Sequence, residues 1–219
     1  MGVLEVTPVS EYWGQFLNSG ETVYAGLIYR VPPRLWRSLT TVQKQLKTLD
    51  PRQLYPTPGN FHIPVKGLGY LGEEVDRDGY ERTLAQIEKI VSEFDSFEIH
   101  LCGLGVFPTG IYARVEDGGK FRAINERISE ELKGKVDSSK YDVEAYVPHV
   151  TLASFNTKDV MKLLEKVNSE PLKDCEFGPA GVFEIEVVRT NLILALGPEE
   201  TQDRAYSYIR SFWLGNFNH

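Results

Sequence analysis

Apolar positions along the chain fall into short runs whose period switches between two and about three and a half, the mark of strands alternating with amphipathic helices. Thr22 to Arg30 is almost entirely apolar or aromatic and reads as a buried strand. Pro32-Pro33 ends it and suits the start of a helix, in which Leu35, Leu39, Val42 and Leu46 recur at steps of four, three and four. A loop with three prolines and a glycine, DPRQLYPTPGN, leads to a short strand, FHIPVKGLGYL. Period two places His62, Pro64 and Lys66 on one face of that strand and Ile63 and Val65 on the other. Tyr80, Leu84, Ile87, Val91 and Phe94 then predict a helix, Phe97 to Leu101 a strand, and GLGVFPTG a turn.

The same order returns. Ile111, Ala113 and Val115 alternate as a strand, and Phe121, Ile124, Ile128 and Leu132 line a helix. After a polar loop from Gly134 to Lys140, the run VPHVTLASF is a strand with His149, Thr151, Ala153 and Phe155 on one face. Asn156 or Thr157 can cap the next helix, with Val160, Leu163, Leu164 and Val167 inside. Val182 to Val188 and Asn191 to Leu196 are expected as strands, and the stretch from Thr201 as a short helix with Tyr206, Ile209 and Trp213 packed inward. Residues 1–21 show no firm pattern.

His62 and His149 stand 87 positions apart, and the same offset carries Val23 to the start of the later strand, Pro33 to the start of its helix, and Phe97 into a late strand. Residue identity between the halves is almost nil, so elements repeat and sequence does not. The predicted fold class is α+β: two pseudo-symmetric β-α-β-α-β lobes with mostly antiparallel sheets flanking a central cleft, helices outside. The 219 residues form one bilobal domain, with lobes near 22–105 and 111–196 and a tail over 200–219.

Charge narrows the partners. A formal net charge of −7 argues against a protein that coats long nucleic-acid backbones, which needs surplus Lys and Arg, but allows a cleft that grips one phosphate. No apolar run approaches the roughly 18–20 residues of a membrane span, and MGVLEVTPVS lacks the regions of a secretory signal. Cys102 and Cys175 have no zinc-ligand spacing and read as reduced core residues of a cytoplasmic protein; a monomer is expected. No Walker loop, H-E-x-x-H or G-x-S-x-G motif is present, so no nucleotide cofactor or metal is expected.

Among four histidines, His62 and His149 alone fall at equivalent points of the two halves; His100 reads as structural and His219 is terminal. Phosphodiester cleavage needs such a pair, one neutral imidazole taking a proton and one imidazolium giving it. Thr151 lies two residues from His149 and points the same way.

PHVTLASF, Pro148 to Phe155, resembles the second signature of the 2H phosphoesterase superfamily, which includes the 2′-5′ RNA ligases and cyclic nucleotide phosphodiesterases. FHIPVKGLGYLG is similar to the first signature, and GLGVFP to the stretch between the halves. The resemblance implies that His62 and His149 are acid and base, that Thr151 binds phosphate, and that neither metal nor cofactor takes part. It implies as substrate an RNA 3′ end or a small cyclic-phosphate nucleotide. Pro64 departs from the family's Thr or Ser and offers neither hydroxyl nor N–H; Lys66, on the same predicted face, is a candidate to compensate. Two alternatives stay open: a catalytically impaired module that binds phosphate or RNA ends, and a phosphodiesterase for a non-RNA cyclic phosphoester.

Overall fold

A computed structural model describes residues 5–17, 23–70, 77–136, 144–197 and 199–215. In chain order the elements are α1 (Val9–Leu17), β1 (Val23–Arg30), α2 (Pro33–Leu49), β2 (His62–Tyr70), α3 (Arg77–Ser92), β3 (Phe97–Phe107), β4 (Gly110–Glu116) and α4 (Lys120–Glu131). They continue with β5 (His149–Ser154), α5 (Met161–Val167), β6 (Glu176–Val182), β7 (Glu184–Asn191), α6 (Leu192–Ala195), α7 (Glu199–Gln202) and β8 (Tyr206–Trp213). His219 and residues 137–140 of the polar loop lie outside the described residues.

Two four-stranded sheets have the orders β2-β1-β7-β8 and β5-β4-β3-β6, and every pairing is antiparallel. The expected α+β fold is present. The 87-residue offset relates β1 to β4, α2 to α4, β2 to β5 and β3 to β7 by their first residues. The sheets do not follow the sequence halves, however. The third strand of each half crosses over, β3 pairing with β4 and β7 with β1.

The helices form where their apolar stripes predict. Leu35, Leu39, Val42 and Leu46 of α2 are buried, and Pro33 opens the helix. Phe121, Ile124 and Ile128 of α4, and Leu132 just past its end, are buried, and Asp117 caps that helix by accepting from the N–H groups of Gly119 at 3.0 Å and Phe121 at 2.7 Å. Buried Gln43 joins α2 to the cleft edge, its amide donating to the carbonyls of Pro56 and Leu152.

Four expectations about secondary structure need correction. Neither Asn156 nor Thr157 caps α5; both bind Gln53 instead, and the helix starts at Met161. GLGVFPTG is strand as far as Phe107, bent where register shifts between Leu101 and Leu104. Leu192–Ala195 is a helical turn, capped by the Asn191 side chain accepting from Leu194 N–H. The tail is helical only over Glu199–Gln202; β8 then supplies the partner that β7 needs, burying Phe212 and leaving Trp213 exposed. The N-terminal stretch is helical, with Val9 buried.

Candidate active site

The histidines sit at the first residues of β2 and β5, each an edge strand of its sheet, and these two edges lie beside each other. His62 Nδ1 lies 2.7 Å from the carbonyl of Asn60, and His149 Nδ1 lies 2.7 Å from the carbonyl of Val147. A carbonyl only accepts, so each Nδ1 carries a proton and each neutral ring keeps its lone pair on Nε2. Both rings line one cavity of about 590 Å³, a volume typical of small-molecule clefts. Thr151 and Pro64 line the same cavity.

Lys66 does not. Register shifts on β2, where Ile28 pairs with Pro64 but Leu27 pairs with Lys66. The extra residue, Val65, reverses the alternation, so Lys66 turns to the opposite face from Pro64. Its side chain is buried, at 1% exposure. The Val65 carbonyl displaced from the ladder accepts from the buried amide of Asn125 at 2.7 Å. No Lys or Arg is among the described residues lining the cavity, whose polar side chains include Thr151, Asn60, Ser154 and the two imidazoles.

Aromatic rings fix the imidazoles. Phe107 and Tyr112 stack with centroids 4.1 Å apart, and both meet His149 edge-on, at 4.9 and 5.5 Å. Tyr112 lies flat only because Gly105 sits beneath it: a Cβ there would come within 2.3 Å of the ring. Tyr206 of β8 packs edge-on to His62 at 5.4 Å, and burial pushes its hydroxyl up to about 12. The Tyr146 hydroxyl donates to the Pro64 carbonyl at 2.9 Å, tying the approach to β5 onto β2. Burial lowers the pKa of His62, and burial together with the neighbouring His62 lowers that of His149 to about 4.

Two parts of the wall escape sequence reasoning. Thr7, Val9, Tyr12 and Trp13 come from the segment read as patternless, although Val9, Tyr12 and Trp13 stand at helical spacing. Tyr206, expected on a helix, stands on a strand.

A bilobal α+β frame with paired histidines on adjoining edge strands defines the 2H phosphoesterases. The chain belongs to the 2′-5′ RNA ligase superfamily, whose family model matches residues 31–191. It is 28% identical over 170 residues to an RNA 2′,3′-cyclic phosphodiesterase of Methanothermobacter thermautotrophicus, covering 73% of this chain and 85% of that protein. Its fold is similar to that of TT0787 of Thermus thermophilus, with TM-score 0.63 and 20% identity over 88% of this chain and 99% of that one. It is also similar to E. coli LigT complexed with 3′-AMP, with TM-score 0.65 and 14% identity over 87% and 97%. Among the described residues no helix is long and apolar enough to cross a membrane.

Proposed function

We propose that the protein is a metal-independent phosphodiesterase that opens 2′,3′-cyclic phosphates at RNA 3′ ends or on small nucleotides, with His62 and His149 as acid and base. The observation that carries this reading is the mirrored anchorage of the rings: each Nδ1 is committed to a carbonyl two residues before it, and both rings wall one cavity. The name of the archaeal relative supports the substrate class.

Water attacks phosphorus while one Nε2 removes its proton. The bond from phosphorus to one ribose oxygen breaks, and the other imidazole, as imidazolium, protonates that oxygen to leave a phosphomonoester. The orientation of the ribose decides which histidine plays which part. Thr151 donates its hydroxyl to a non-bridging oxygen. With both pKa values lowered, the imidazoles are neutral at pH 7 before substrate binds, and the arriving phosphate raises the pKa of the one that becomes the acid.

The test is hydrolysis of a 2′,3′-cyclic mononucleotide and a short cyclic-phosphate RNA, with and without chelator. His62→Ala and His149→Ala are each expected to lower the rate about 10²–10⁴-fold. Wild-type rates in either variant, or turnover lost to chelator, refute the mechanism. Pro64 gives the binding-module reading its footing, since one phosphate donor is missing from β2; binding of both substrates with turnover of neither would establish it.

A further inference from the structure

His100 and Cys102 stand two residues apart in the chain, and the fold brings distant Glu176 to them. His100 and Cys102 alternate onto one face of β3, and Cys102 pairs with Glu176 across to the edge strand β6. His100 Nε2 lies 2.5 Å from a Glu176 carboxylate oxygen. The three ligand atoms, one nitrogen, one sulfur and one oxygen, all lie within 4.8 Å of one another. None of the three residues lines the catalytic cavity.

From this geometry we infer a second site: His100, Cys102 and Glu176 bind a divalent transition metal of the zinc class, with water in the fourth position. Tetrahedral zinc holds nitrogen, oxygen and sulfur at about 2.0–2.3 Å, which sets ligand atoms roughly 3.3–3.8 Å apart. Shifts of about 1 Å in half-exposed side chains reach that arrangement from the observed one, since rotamers at such sites adjust readily. The mixed N, S, O set selects zinc over magnesium or calcium, which take oxygen alone. Binding releases the thiol proton and forms the sulfur–metal bond. Local charge favours a cation: Glu116 is the cross-strand neighbour of His100, and the guanidinium of Arg114 is paired with Asp174. Arg114 also binds the Cys102 carbonyl, at 3.4 Å, and is the cross-strand neighbour of His149. The site therefore shares a sheet with the catalytic cleft, and by clamping β6 to β3 it braces the strand beside it.

Without a metal, the same residues make only an exposed His–Glu pair beside a spectator thiol. Cobalt(II) titration of the untagged full chain separates the two. One equivalent should bind with a thiolate-to-cobalt absorption band in the near ultraviolet, displaced by zinc. Cys102→Ser should abolish the band, Glu176→Gln should weaken binding at least roughly tenfold through loss of a ligand, and Cys175→Ser should change neither. Zinc should also raise the melting temperature of the wild type but not of Glu176→Gln, a change confined to an exposed side chain. No band in the wild type, or a band that survives Cys102→Ser or disappears in Cys175→Ser, overturns the assignment.

Discussion

Acid weakens this fold through His149, and the size of the effect follows from its surroundings. In the unfolded chain the imidazole titrates near pH 6.5, whereas the cleft holds it at about 4. Between these values the unfolded chain binds more protons than the folded one. Stability therefore rises with pH, is fully present above about 6.5, and is lost as pH falls toward 4. An unscreened shift of that size gives about 2 kcal/mol at pH 5. The ring is only half-buried, so solvent screening reduces the expected loss to about 1 kcal/mol. Urea unfolding at pH 7 and pH 5 reads it: the wild type should lose about 1 kcal/mol more than His149→Gln across that interval. Equal losses in the two proteins would show that the cleft does not disfavour the imidazolium and would remove the argument for a neutral pair at rest.

The other predictions concern the grip on phosphate and the aromatic wall. Pro64→Ser should raise kcat/KM for a cyclic nucleotide by about one decade, and Thr151→Val should lower it by one to two, as expected for hydrogen bonds to a charged group worth about 1.5–3 kcal/mol; steady-state kinetics of both variants checks the asymmetry. Gly105→Ala should push Tyr112 off its stack with Phe107 and destabilise by about 1–3 kcal/mol, read by urea melts, with a lowered kcat as His149 loses a ring that packs against it. Binding of a nucleoside monophosphate at pH 7 should take up a proton, because an imidazole neutral in the unliganded protein becomes charged against phosphate; calorimetry in buffers of different ionisation enthalpy measures it, and zero uptake would contradict the lowered pKa values.

The helices were legible because their stripes depend on local spacing alone, and the histidine pair because a repeat of elements survives loss of identity. Lys66 was misplaced because period two holds only while register holds, and one extra residue at Val65 turned the lysine into the core. Leu192 to Leu196 is apolar enough for a strand, but Asn191 caps a helical turn there. YSYIRSFW carries no strict period, and what makes it a strand is the vacant edge of β7. His100, Cys102 and Glu176 could not be joined from sequence, since β6 meets β3 only through the fold.

The crossing of β3 and β7 makes each sheet depend on both halves of the chain. A half-length polypeptide ending at β3 would hold β1 and β2 but lack β7 beside them, while its own third strand would find no β4. Alone it cannot close either sheet. Neither histidine strand is therefore held in place by its own half of the chain alone, and a cut between the halves would disturb both edges of the cleft at once.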